Sequence, residues 1–159
     1  MYAFLETALT GFETSLKSIG KRKAREVIFG AELVPANCNR GRDLLKPEAI
    51  EDVIHYLDGL KDLGIRGVTV SVGYPLYTPG FPGYKEYASF YRQVAREFRK
   101  RDMKLCVESH VIFANTSLSD VRTSYASLTF NTYKAAKREM GSAILMDMEP
   151  DYLDVGSEP

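Results

Sequence analysis

Hydrophobic residues along the chain switch repeatedly between helical and strand-like spacing. The first helical pattern covers residues 3–19, and three more follow after residues 46, 83 and 119. Four short apolar runs typical of buried strands separate them, at residues 27–34, 65–72, 103–111 and 151–157. The predicted order is one amphipathic helix followed by β-α-β-α-β-α-β. Strands that alternate with helices in this way favour an α/β fold with a parallel sheet and right-handed crossovers.

Most predicted helices have recognisable start and end signals. The second helix begins at Pro47, since proline suits the first helical position, and Gly64 is suited to a left-handed cap at its end. The third helix has a stripe of apolar residues over four turns, at positions 84, 87, 88, 91, 94, 95 and 98. For the last helix we predict a start at Asp120 and an end near Met140, closed by Gly141.

Two architectures fit a parallel sheet of this kind, a doubly wound sheet and part of a (β/α)8 barrel. A dinucleotide-binding fold should have a glycine-rich turn after the first strand, and the segment from Pro35 to Lys46 contains no G-x-G-x-x-G. We therefore predict a partial barrel containing about the first four strands. Residues 1–24 are interpreted as an N-terminal helix and basic linker, and residues 25–159 as the first half of the barrel. No helix follows the last strand, so we expect the barrel to be truncated.

The charge balance gives no sign of a charged partner. Lysine and arginine total 21 and aspartate and glutamate also total 21, so we predict neither a nucleic-acid nor a membrane partner. The basic cluster at residues 21–25 is interpreted as a solvated linker, with a phosphate-binding patch as the alternative. No apolar run approaches the ~20 residues of a membrane span, and this chain shows no secretory signal pattern. The sequence indicates no compartment, and Cys38 and Cys106 are interpreted as free thiols.

Polar side chains stand at the predicted carboxyl end of each strand, where barrel enzymes carry their chemistry. These residues are Glu32, Tyr74, Glu108, His110 and Glu158. Strand alternation places Glu108 and His110 on the same face of the third strand. It likewise places Asp154 and Glu158 on the same face of the fourth strand. A carboxylate in a barrel mouth is partly desolvated, which raises its pKa and lets it protonate a glycosidic oxygen.

Each of these residues also has an interpretation without catalysis. Glu158 is also interpretable as a solvated carboxylate, His110 as a hydrogen-bonded structural residue, and the other acids as partners of buried basic groups. The aromatic residues Tyr74, Tyr77, Phe81 and Tyr84 fit either a platform for a sugar ring or part of the core.

The last ten residues resemble a known catalytic segment. Pro-Asp-Tyr-Leu-Asp-Val-Gly-Ser-Glu-Pro at 150–159 is similar to the "P-D-hydrophobic-x-x-G-N-E-P" run on strand four of the barrel superfamily of retaining glycoside hydrolases. Glu158 matches the acid/base glutamate of that run. The segment Glu108-Ser109-His110 is similar to the place where endo-galactanase-like and cellulase-like members carry a histidine near the sugar. Ser157 stands where the family usually has an asparagine that contacts the sugar 2-hydroxyl.

The resemblance implies hydrolysis of a poly- or oligosaccharide with retention, using Glu158 as general acid/base and a nucleophile beyond residue 159. It implies no metal and no organic cofactor. The residues expected to bind the substrate are Glu32, Tyr74, Glu108, His110 and Ser157. Since one carboxylate cannot take both roles, we expect the 159-residue chain alone to be inactive.

The sequence is also compatible with two other functions. One is a metal-dependent sugar isomerase or aldolase-type barrel, with Glu32, Glu108, His110 and Glu158 as ligands, which metal analysis of the protein would reveal. The other is a non-catalytic barrel that binds carbohydrate without hydrolysing it.

The predicted half-barrel also has two unpaired edges, on its first and fourth strands, and such edges invite pairing with another chain. An apolar inner face, formed by Val68, Val70 and Val72 or by their alternate neighbours, would be uncovered as well. We therefore expect the chain either to form a homodimer that joins the edges into eight strands or to aggregate.

Overall fold

The computed structural model describes residues 2–18, 28–114 and 120–156. Helix α1 spans Tyr2–Ser18, which confirms the helix predicted at residues 3–19. The predicted boundary between residues 24 and 25 lies outside the described residues. In the described part of the chain, no helix combines the length and the apolar character needed to cross a membrane.

The remaining elements form a parallel α/β unit. Strands β1 (Gly30–Glu32), β2 (Gly67–Tyr74), β3 (Lys104–Val111) and β4 (Tyr152–Asp154) pair in the order β1-β2-β3-β4, and every pairing is parallel. Helices α2 (Glu48–Asp62), α3 (Tyr84–Lys100) and α4 (Phe130–Met148) connect them, with two 3₁₀ segments, Val34–Ala36 and Cys38–Leu45, before α2. The predicted α/β class and parallel sheet are confirmed, and the sequential strand order is compatible with part of a barrel.

The hydrophobic core lies between the sheet and α2, α3 and α4. Val68, Val70 and Val72 of β2 are at most 1% exposed, and the core also contains Leu57 of α2 and Ile144 of α4. The helices therefore cover the valine face, so of the two predicted alternatives the alternate neighbours, and not these valines, are the residues that the helices leave uncovered. The opposite face carries their alternate neighbours, because successive side chains of a strand point to opposite sides.

This opposite face, here called the open face, is polar. From β2 it receives Thr69 and Ser71, which are in register with Cys106 and Glu108 of β3. Asp154 of β4 is in register with Glu108 and so lies on the same face. A row of hydroxyl, thiol and carboxylate groups on the open face is suited to hydrogen bonding.

Strand β1 is shorter than predicted. It ends at Glu32, and the backbone N–H of Leu33 makes one further bond to the Thr69 carbonyl at 2.8 Å. Pro35 then stands at the start of a 3₁₀ segment, because its ring fixes φ and its nitrogen has no hydrogen for a strand ladder. Residues 28 and 29 are described but lie before the strand, and residue 27 is outside the described residues.

The prediction for the last helix was wrong at both ends. Residues 120–129 are not helical, since the side chain of Asp120 accepts a hydrogen bond from the Arg42 backbone N–H at 2.8 Å instead of capping a helix. Thr129 is the actual cap, and its hydroxyl accepts from the Thr132 N–H at 3.2 Å. Gly141 lies inside α4 rather than at its end.

We expect Gly141→Ala to stabilise the protein by about 0.5–1 kcal/mol, because alanine lowers the entropic cost of a helix interior. Among the described residues, apart from the two chain neighbours and the adjacent backbone of α4, no heavy atom lies within 4 Å of the added Cβ. Gly64→Ala is the matched control. Gly64, which is exposed, also has room for a Cβ but has a φ of +80°, so alanine there should cost about 1–2 kcal/mol. Urea unfolding measures both, and destabilisation by Gly141→Ala would contradict a helix that continues through this position.

Candidate active site at the carboxyl edge of the sheet

A cleft of about 390 Å³ lies where β1, β2 and β3 end. It is lined by Glu32, Asn37, Asn39, Ser71, Glu108, His110, Val111 and Phe113. Three of the residues predicted to bind substrate therefore meet in one place, namely Glu32, Glu108 and His110. Ser157 and Glu158 lie outside the described residues.

Glu108 and His110 form a hydrogen-bonded pair at the centre of the cleft. They are two residues apart on β3 and so share the open face, as predicted. The His110 Nε2 lies 3.0 Å from the Glu108 Oε2, and the two side chains are 27% and 30% exposed. An ionised carboxylate only accepts, so Nε2 carries the hydrogen and donates it. The pair thereby fixes the imidazole ring while both groups still reach solvent.

Ser71 supports the same carboxylate from the neighbouring strand. The register of β2 and β3 places Ser71 opposite Glu108, and the Ser71 Oγ lies 3.5 Å from the Glu108 Oε2. Ser71 is 4% exposed, and its backbone carbonyl accepts from the Tyr91 hydroxyl at 3.3 Å. Helix α3 therefore helps to hold the strand on which this hydroxyl stands.

Two asparagines that the sequence did not single out organise the other side of the cleft. The Asn37 amide donates to the Glu32 Oε1 at 2.8 Å, and its own oxygen accepts from the Asn39 N–H at 2.9 Å. The Asn39 side-chain oxygen in turn accepts from the Phe113 N–H at 2.9 Å. This chain of bonds joins the segment after β1 to the segment after β3. The available signal was the Asn-Cys-Asn sequence at residues 37–39, in the loop predicted after the first strand.

Phe113 adds an apolar surface to the rim of the cleft. It follows β3, and its ring is 53% exposed beside the polar groups of Asn39 and His110. An exposed ring next to hydrogen-bonding groups is suited to a ligand with both an apolar face and polar substituents.

Tyr74 lies apart from this cleft, although it is the last residue of β2. It alternates with Gly73 and so falls on the valine face, where its ring centroid lies 6.2 Å from that of Tyr125 and 5.8 Å from that of Tyr133. Tyr77 is fully buried and contacts Tyr84 edge to face. The structure therefore assigns these tyrosines to packing rather than to a platform in the cleft.

The alternative metal site is not assembled in the described residues. Within residues 2–18, 28–114 and 120–156, no group of three or more His, Cys, Asp or Glu side chains is arranged to hold a metal ion. Glu32 bonds to Asn37 and Glu108 bonds to His110, so the predicted ligands are engaged separately. Glu158, the fourth predicted ligand, lies outside the described residues.

Gly73 allows the surrounding segments to approach the strand. A Cβ there would lie 2.5 Å from the Ile112 Cγ2 and 2.7 Å from the Cys38 Sγ. Both neighbours are at most 1% exposed, and burial raises the pKa of Cys38 to about 12. The thiol is therefore a buried, protonated packing group beside the cleft.

We expect Gly73→Ala to cost about 1–3 kcal/mol of stability, as is usual when a group is added to a well-packed core. Gly59→Ala is the control, because the position has no atom within 4 Å of the added Cβ and should be neutral or stabilising. Guanidinium unfolding measures the stability, and the rate of Cys38 alkylation reports whether the packing has opened. An unchanged midpoint and an unchanged rate would show that the contact is not tight.

The cleft thus combines two carboxylates, an imidazole, two amides and a hydroxyl at the carboxyl edge of a parallel sheet. Such convergent polar groups in one concave site are typical of ligand binding. Comparisons of this chain with protein-family models, with curated proteins and with solved structures found no significant match.

Proposed function

We propose that the sheet is the first half of a (β/α)8 barrel and that the cleft binds the sugar of a glycoside hydrolase. The open face supports the barrel, because in a barrel the side of the sheet away from the helices lines the interior. Each strand pairs with the next one along the chain, as barrel strands do. The cleft lies at the carboxyl edge, where barrel enzymes place their active sites.

The observation that carries the proposal is the set of polar groups around the cleft. Sugar hydroxyls both donate and accept hydrogen bonds. Glu32 and Glu108 offer acceptor oxygens, and the Asn37 amide has a second N–H beside the one that it donates to Glu32. The ring of Phe113 is suited to the apolar C–H face of a sugar. The volume of about 390 Å³ falls within the range of small-ligand sites.

Glu158 is proposed as the general acid/base on the basis of the motif at residues 150–159. Strand β4 runs parallel to β3, so the chain after Asp154 leaves the sheet at its carboxyl edge, which is also where His110 lies. Glu158 would protonate the glycosidic oxygen while a second carboxylate, ~5–5.5 Å away, attacks the anomeric carbon. Water, deprotonated by Glu158, would then release the sugar with retained configuration.

Sugar binding by the chain itself tests the proposal without requiring turnover. Titration calorimetry with galacto-, cello-, xylo- and manno-oligosaccharides should find a ligand. Glu108→Gln should weaken its binding by about 10- to 150-fold, since a hydrogen bond to a charged group contributes about 1.5–3 kcal/mol. Glu51→Gln, on the exposed side of α2, is the matched control and should bind normally. If no saccharide binds, or if Glu108→Gln binds as well as the original protein, the proposal is wrong.

We also propose that the isolated chain forms a homodimer through its sheet edges. In the described residues, β1 and β4 each pair with a single neighbouring strand, so each has a free edge. The open face is polar, and the driving force would therefore be strand pairing rather than burial of valines. Analytical ultracentrifugation should show a dimer that dissociates on dilution. A compact monomer at all concentrations would contradict this assembly.

A further inference from the structure

A second cavity, of about 320 Å³, lies between the end of β3 and helix α4. Its walls include Ser109, Ile112, Tyr125, Tyr133 and Lys137. It borders the cleft described above, because His110, Val111 and Phe113 line both spaces. The two spaces differ in chemistry, since this cavity has tyrosine rings and a lysine where the cleft has carboxylates and asparagines.

Lys137 is held in place by Ser109. Its Nζ donates to both the backbone carbonyl and the hydroxyl of Ser109 at 2.5 Å. Among the ion pairs of the described residues, none joins Lys137 to a carboxylate within 4.0 Å. A neutral amine has two N–H groups and one lone pair. The two oxygens of Ser109 can accept from both N–H groups, which leaves the lone pair for another partner.

The surroundings shift the equilibrium of Lys137 toward the neutral amine. Burial lowers the pKa of Lys137, and the carboxylate of Asp154 opposes this effect only in part. Two exposed lysines behave in the opposite way. The hydrogen bonds that Lys46 and Lys104 donate to Asp43 and Asp151 raise the pKa of each lysine. Lys137 therefore has a larger fraction of reactive amine near neutral pH than these two lysines.

We propose that Lys137 is a nucleophilic amine that forms an imine with a small, neutral aldehyde or ketone bound in the second cavity. The amine lone pair forms a bond to the carbonyl carbon, and the carbonyl π electrons move to oxygen to give a carbinolamine. Loss of the two amine hydrogens and this oxygen as one water molecule gives the imine. We expect a neutral ligand rather than an anionic one, because two carboxylates are near. Glu108 lines the adjoining cleft, and Asp154 interacts electrostatically with Lys137.

The proposal does not depend on sugar hydrolysis. The probe is glyceraldehyde with sodium cyanoborohydride, which reduces an imine to a stable secondary amine. Peptide mass spectrometry of the full chain then gives the rate of modification at each lysine. Lys137 should be modified at least severalfold faster than Lys46 and Lys104 at pH ~7. The ratio of these modification rates should fall toward pH ~10, because the surface lysines also begin to lose their proton.

Two variants complete the test. Lys137→Arg replaces the amine with a guanidinium that stays protonated and is not a nucleophile, so it should lose the fast site and leave the rates at Lys46 and Lys104 unchanged. Ser109→Ala removes the hydroxyl acceptor and should slow modification of Lys137. Equal rates at Lys137 and the surface lysines, or protection of Lys137 from modification, would overturn the proposal and leave this lysine a structural partner of Ser109.

Discussion

Glu158→Gln is expected to slow hydrolysis of substrates with poor leaving groups by about 10²–10⁴-fold, the usual contribution of a general acid. Activated aryl glycosides should be affected far less, because an acidic leaving group departs with little protonation. The measurement is kcat/KM for one substrate of each kind, in a protein that carries this sequence within a complete barrel. The contrast between substrates is the diagnostic result, since misfolding would lower both rates together.

Glu149→Gln is a suitable control for this experiment. Glu149 is an exposed carboxylate that pairs with Arg99 at 3.2 Å and lies before β4 rather than after it. The variant should retain both activities. Equal losses on the two substrates with Glu158→Gln would argue against the acid/base role, whereas retained aryl activity would support it.

The order of strands and helices could be predicted because hydrophobic spacing is a local property. The pairing of Glu108 with His110 was also predictable, since residues two apart on a strand share a face. Which side of the sheet the helices cover is not a local property of the sequence. Val72 and Gly73 are adjacent, and only the position of the helices shows that the valine is buried and that Tyr74 points away from the cleft.

Two features that were not predicted, the role of Asn39 in the cleft and the true start of α4, depend on contacts between distant parts of the chain. Asn39 bonds to Phe113 across 74 positions, and Asp120 bonds to Arg42 across 78 positions. The second of these contacts removes Asp120 from the helix start that local signals favoured. Gly141 was interpreted as a helix end, but a single glycine is tolerated within a helix at a cost of about 1 kcal/mol, and Gly141 lies inside α4.

Tyr91→Ala is expected to destabilise the protein by about 2–5 kcal/mol, the range for large-to-small changes in a core. Tyr91 lies on α3 and is fully buried, with its ring centroid 5.7 Å from that of Tyr77. Its hydroxyl lies 3.2 Å from the Ala36 carbonyl and 3.3 Å from the Ser71 carbonyl. The residue therefore fills the core and also joins the segment after β1 to β2. Urea unfolding followed by circular dichroism measures the loss.

Tyr91→Phe separates these two roles. It keeps the ring and removes only the hydroxyl, so it should cost about 0.5–1.5 kcal/mol, the usual net contribution of one hydrogen bond. Because Ala36 precedes Asn37, the same variant should also weaken ligand binding in the cleft. Gln93→Ala, at an exposed position of α3, should change the stability by less than about 0.5 kcal/mol. Near-original unfolding midpoints for both tyrosine variants would mean that α3 does not pack on the sheet through this face.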